Sequence, residues 1–352
     1  MTAVTDTPQP PNRPRLTFGV SSLRTYGLLI AIIVIAIFFY VQNDAFASPN
    51  NVFQLLRSMA SLAMIAFAQL LVIVAAELDL SIGSIYGLTA TALAVFWLGT
   101  GNSPFAPMHF ASAIVIALGI ALAAGATNAF FTTVVGIPSF IATLGMLSVA
   151  SGLELLLSNA GSFNAAYSVP PPDPGQLEAF RFLGFTTLPF GIPIQVLWLG
   201  VAFVAFWVIR HRTLFGFRLL AIGGNTDAAR VTRLPVRKYK FIVFMLCAFM
   251  AGLAGILDFS FVGSIGPNSG TSLTFPVFAA VVIGGASLSG GRGTVFGTLM
   301  GAVLLAIIAN GLAIMGVPSF VRLVFIGAVT IGAVSLDVIA QRAAQHAEMS
   351  SK

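Results

Sequence analysis

A chain of 352 residues that is 57% hydrophobic and only 8% charged, with a mean hydropathy of +0.97, lies outside the balance of a soluble globular domain and belongs in a membrane. Its net charge of +6 does not argue for a nucleic-acid partner, because in such a chain an excess of Lys and Arg records topology. The single cysteine, Cys247 in "FIVFMLCAFM", excludes an intrachain disulfide and a thiolate metal site.

Residues 1–24 carry Pro8, Pro10, Pro11 and Pro14 among Arg13, Arg15 and Arg24. They read as a disordered cytoplasmic tail rather than a signal peptide. A membrane-crossing helix needs about 20 apolar residues, and the segments 25–41, 58–76, 83–99, 111–133, 138–158, 190–209, 241–258, 273–286, 294–314 and 320–340 qualify. The expected fold is therefore all-α, an integral membrane domain of ten spans over 25–340, with a second cytoplasmic tail at 341–352. With the N-terminus inside, Arg210, Arg212, Arg218, Arg230, Arg233, Arg237, Lys238, Lys240, Arg292, Arg342 and Lys352 all fall on the inner side. Only Arg57, Arg181 and Arg322 remain outside, so the positive-inside rule puts both termini in the cytoplasm.

The second span ends in "AAELDLSIGS", which sets Glu77 and Asp79 against an apolar run. Asp79 and Ser81 fall between two helices, where Asp and Ser cap free N–H groups. A chain break in a membrane can equally line a polar pathway. Asn128, in "GATNAFF", is a further pathway candidate, since a buried amide needs a partner. Glu154 and Asp337 lie near span ends and read as interfacial. A long Pro-rich outer loop covers 159–189. The basic inner loop, 210–240, carries helix signals: Asn225 and Thr226 as caps before "DAARVTRL", then Pro235 as a stop.

The opening motif recurs. "LDLSIGS" at 78–84 returns as "LDFSFVGS" at 257–264, and "GIPSF" at 136–140 returns as "GVPSF" at 316–320, both offset by about 180 residues. Spans 2–5 thus repeat as spans 7–10. Five crossings separate equivalent helices, so the second copy, with Asp258 and Ser260, is inverted, the architecture of alternating-access transporters. Asp258 and Ser260 would cap the eighth span as Asp79 and Ser81 would cap the third.

"GGASLSGGRGTVFG", 284–297, has neither the Gly-Lys-Ser/Thr of a phosphate loop nor the spacing of a dinucleotide fingerprint. A tight turn allowing close helix approach, with Gly290, Gly291 and Arg292 at its centre, is the expectation. His109, His211 and His346 are scattered, which argues against a metal site, and no Ser-His-acid grouping suggests hydrolysis.

"ELDLSIGS", "GIPSFIATLGMLSVASGLELLLSN", "LLAIGGNTDAARVTRLPV" and "VVIGGASLSGGRGTVFGTLMGA" resemble, in this order, the permease subunit of bacterial ABC importers for ribose and related monosaccharides. The resemblance runs from about 52 to 336 and extends more loosely to branched-chain amino-acid and nucleoside permeases. It implies a non-catalytic subunit of the bacterial inner membrane that binds no cofactor itself and works with several partners. A cytoplasmic ATPase would use ATP and Mg, an extracytoplasmic protein would deliver the sugar, and a second permease copy, identical or not, would complete the pathway. The loop 210–240 would then hold the coupling helix, with Gly223, Gly224, Asn225, Ala228, Ala229 and Arg230 at the ATPase contact. Glu77 stands where the ribose-type motif more usually has glycine, which leaves the exact sugar open, a polyol included. On the residues alone an ion-coupled secondary carrier using Asp79, Glu77 or Asp258 is the other function class. A cytoplasmic docking helix distinguishes the two, since a secondary carrier needs none.

Overall fold

A computed structural model describes residues 20–99 and 105–332, with Ser335. Residues 1–19, the C-terminal tail, Asp337 and His346 lie outside the described residues. The chain is helical nearly throughout: α1 (Val20–Gln42), α2 (Pro49–Val74), α3 (Ile82–Leu98), α4 (Phe110–Phe130, continued by a π turn to Val135), α5 (Ser139–Ser158), α6 (Pro174–Gly184), α7 (Ile194–Arg212), α8 (Leu214–Gly224), α9 (Thr226–Val231), α10 (Val236–Val262), α11 (Thr274–Ile283) and α12 (Val295–Ile314). A further apolar helix, α13, covers Ser319–Gly332.

Each of the ten segments expected to be apolar spans overlaps one of these helices. By length and composition, six of the described helices can cross a membrane: α2, α4 with its π turn, α5, α7, α10 and α12. α11 is only 10 residues long.

Local sequence explains the helix starts. Ser48 accepts from Asn51 N ahead of Pro49, and Asp173 accepts from Gly175 and Gln176 N ahead of Pro174, the arrangement in which a polar side chain replaces the missing intrahelical acceptor and proline gives up no needed donor. Asp173 thereby builds α6 inside the stretch expected to be an outer loop. The two-residue strands β1 (Phe163–Asn164) and β2 (Ser264–Ile265) pair antiparallel beside it.

The core is formed by α2, α3 and α10. Every residue of α3 is buried, as is α2 from Met59 to Val74, and α10 packs on α2, α3 and α4. Close approach depends on missing side chains: a Cβ at Gly255 would stand 2.5 Å from Tyr86 O, and one at Gly125 2.6 Å from the Ala248 Cβ. In lipid, where the hydrophobic effect gives helices no reason to associate, such small-residue contacts supply the packing. α4, α5 and α7 surround this core and turn apolar residues such as Val115, Leu144, Leu156 and Val201 outward.

Candidate functional site

Three acidic side chains converge on α3, the helix that sees neither solvent nor lipid. The first belongs to the break between α2 and α3, residues 75–81, which is not helical. Backbone without a ladder must find other partners inside a membrane, and here α5 supplies them. Leu78 N donates to Ser139 Oγ and Leu80 N to Thr143 Oγ1, each at 3.1 Å. Asp79 Oδ1 accepts from Ser81 N at 2.9 Å and from Ser81 Oγ at 2.6 Å, and Asn128 Nδ2 of α4 donates to Ser81 Oγ at 2.8 Å. Asp79, Ser81 and Asn128 are buried, and Asp79 Oδ2 and Asn128 Oδ1 have no hydrogen-bond partner among the described residues.

The capping expectation for these residues is corrected. Ser81 occupies the N-cap position of α3 but its side chain makes no cap hydrogen bond. Asp79 folds back onto Ser81 itself, so its carboxylate closes a local turn instead of serving the first turn of the helix.

The second acidic group is also corrected. Asp258 and Ser260 lie within the last two turns of α10, which runs on to Val262 and ends at Gly263 with φ 74°, so neither caps α11. Asp258 instead accepts from Ser61 Oγ of α2 at 2.5 Å and from Tyr86 OH of α3 at 2.8 Å. Ser260 Oγ donates to Phe180 O of α6, beside a cavity of about 390 Å³ lined by Asn164, Tyr167, Arg181 and Phe261.

The third is Glu154, which sequence placed at an interface and which the structure buries completely. Its Oε1 accepts from Asn268 N at 3.0 Å and from Thr91 Oγ1 at 3.4 Å. The sequence signal was a carboxylate inside the apolar run "GLELLL"; that it faces Gly87 and Thr91 of α3 is seen only in the structure. Gln69 of α2 was likewise missed. It is fully buried and accepts from Cys247 Sγ at 3.2 Å.

Glu77 does not join Asp79. It turns away to an ion pair with Lys240 of α10, with side-chain exposures of 11% and 13%. Around it the ends of four elements meet. Gly291 N donates to Val74 O at 3.0 Å, and Arg210 Nη2 donates to Gly293 O at 2.8 Å. Gly223, at the end of α8, sits so close to the Val74 carbonyl and Gly291 that a Cβ there would collide with both. Gly290, Gly291 and Gly293 have φ of 86°, 70° and 151°, backbone that L side chains rarely adopt, and Arg292 is exposed. The glycine turn and the α8–α9 loop, distant in sequence, are thus one surface.

The expected coupling residues divide on this surface. Gly224, Asn225, Ala228 and Arg230 are exposed, whereas Gly223 and Ala229 are buried. Asn225 Oδ1 accepts from Ala228 N at 2.9 Å and caps α9. Thr226 does not cap; its Oγ1 donates to Ile222 O at 2.8 Å. Arg230 pairs with Asp227 at 3.1 Å on the exposed side.

This site holds buried carboxylates, hydroxyls and amides, with the hydroxyls of Ser81, Ser61 and Tyr86 donating to Asp79 or Asp258. Among the described residues there is no group of three or more His, Cys, Asp or Glu able to hold a metal.

Residues 51–334 match the family described as branched-chain amino acid transport system / permease component. The chain is 33% identical to the ribose import permease protein RbsC of Escherichia coli (strain K12) over 309 residues, 88% of this chain and 92% of that one. It is 35% identical to RbsC of Bacillus subtilis (strain 168) over 311 residues, 88% and 90% of the two chains. It is 31% identical to the xylose transport system permease protein XylH of Escherichia coli (strain K12) over 374 aligned positions, 91% and 93%. With a match over most of its length and relatives of this identity and coverage, the chain belongs to the branched-chain amino acid transport system / permease component family, and is a permease with apolar, membrane-competent helices.

Proposed function

We propose that this permease is the membrane subunit of an ATP-driven bacterial importer for a monosaccharide or related polyol, working by alternating access. The observation that carries the proposal is the near full-length similarity to ribose and xylose permeases. In this reading the chain makes ten crossings with both termini in the cytoplasm of a bacterial inner-membrane protein. The surface of α8, α9 and the glycine turn receives a cytoplasmic ATPase that uses ATP and Mg, and an extracytoplasmic sugar-binding protein approaches the side bearing α6. A second permease copy and lipid cover the exposed apolar residues of α4 and α5. The chain contributes no catalytic residue and no cofactor of its own.

The recurrence of spans 2–5 as spans 7–10 has support from one local turn as well as from sequence, and its inversion rests on the odd number of crossings between the copies. Gly136 and Gly316, equivalent in the repeat, have φ of 88° and 75°, and each is followed two residues later by a proline that opens a helix, at Ser139 and Ser319. The Asp motifs have diverged: Asp79 follows the end of α2, whereas Asp258 precedes the end of α10. ATP binding by the partner would drive the cycle through its differential affinity for inward and outward states. Ion-coupled secondary carriage is not favoured, because the relatives are import-system permeases.

The test is uptake of labelled D-ribose, D-xylose and pentitols by cells carrying the native operon, with and without this gene, under ATP depletion or proton uncoupling. Gene-dependent uptake that survives uncoupling and stops without ATP is expected. Uptake that follows the ion gradient would replace the importer with a carrier.

A further inference from the structure

The permease reading leaves the Glu77–Lys240 pair without a task, yet the pair joins two regions that such a transporter must connect. Lys240 belongs to the second turn of α10, and α10 follows α9 after only the four residues 232–235. Arg237 and Lys238 beside it are exposed, while Lys240 turns inward to Glu77. Two opposite charges this largely shielded from water hold each other in place, because removing either one leaves the other partly buried without its partner.

Glu77 stands two residues before Asp79, in the strand of backbone held by Ser139 and Thr143 of α5. The same break is pinned to the docking surface on its other side, where Val74 O accepts from Gly291 N and lies against Gly223. A displacement of α9 therefore has a short, charged route to the Asp79–Ser81–Asn128 group. We infer that the Glu77–Lys240 ion pair is a strut that transmits movement of α8–α9 to the α2–α3 break, which makes Glu77 and Lys240 positioning residues for coupling ATP hydrolysis to sugar movement. This rests on the permease reading.

The experiment uses the complete importer with its binding protein in proteoliposomes, measuring ATP hydrolysis, uptake of the panel sugars and thermal unfolding. Glu77→Gln and Lys240→Met are expected to lower the sugar moved per ATP by about tenfold or more, within the range of coupling between sites, while hydrolysis continues. The exchange Glu77→Lys/Lys240→Glu is expected to recover the ratio. Variants that melt earlier but keep the wild-type ratio would reduce the pair to a structural role and overturn the inference, as would singles with normal uptake. If the exchange does not fold, Glu77→Cys/Lys240→Cys joined by a bis-methanethiosulfonate decides: transport that persists after cross-linking fits a strut that moves as one body, and transport abolished by cross-linking overturns it. A wild-type importer that accumulates none of the sugars under ATP is a separate failure, of the proposed ATP-driven sugar import, and the strut falls with it.

Discussion

Glu154 of α5 occupies the space that a side chain at Gly87 of α3 would need: a Cβ on Gly87 would stand 2.8 Å from Glu154 Oε2. The missing side chain lets a carboxyl group enter the bundle and reach Thr91 Oγ1 and Asn268 N, tying α5 and α3 to the loop after β2. A buried acid in a membrane is retained only with such partners.

Gly87→Ala is accordingly expected to destabilise the purified permease by about 1–3 kcal/mol, the usual cost of overpacking. Combining it with Glu154→Ala should cost less than the sum of the single changes, since the second opens the space the first fills. Thermal unfolding of the four proteins in one detergent checks this; strict additivity would mean that the two residues do not share the site.

Asp79→Asn is expected to keep substantial uptake. Asn retains an oxygen for Ser81 N while exchanging the charge and the second oxygen for an amide NH2, and the local turn at 79–81 depends on the retained acceptor. Loss of all uptake by a stably inserted Asp79→Asn protein would shift Asp79 to a charge-dependent role.

Tyr86→Phe removes one of the two hydroxyl donors to Asp258 and should lower stability by about 1–3 kcal/mol, the range for a hydrogen bond to an acidic group whose partner stays buried. Ser61→Ala acts on the other oxygen, and the double variant should be the least stable of the set in a denaturation series.

Neighbouring glycines should respond in opposite ways. Gly224 has open space where a side chain would grow, so Gly224→Trp is expected to insert and melt normally yet lose ATP-driven uptake by blocking the docking surface. Gly223→Ala drives a methyl into the Val74 carbonyl and should reduce the yield of folded protein. Expression with size-exclusion profiles, followed by uptake, separates the two outcomes.

Hydropathy marked the apolar segments that helices go on to occupy, six of them long and apolar enough to cross a membrane, because apolarity over about 20 residues is a local property. The caps followed the same logic at Asn225, whose acceptor serves a donor three residues on, and so did the turn at Gly290 and Gly291, where the glycines themselves supply the positive φ. The Pro-rich outer stretch misled, since its prolines concealed the Asp173–Pro174 start of α6. What one dimension could not contain is which helices touch. Ser61 meets Asp258 across 197 residues and Lys240 meets Glu77 across 163, distances at which no periodicity carries information. Asp79 and Asp258 look alike in sequence and took different roles because α2 stops before its acid while α10 continues past its own. Local composition and motif were enough for a helical membrane protein, for its resemblance to a permease and for the residues able to bear polar contacts. Only tertiary packing decided which of them meet around α3, because burial in lipid forces each polar group to find a partner wherever the fold brings one.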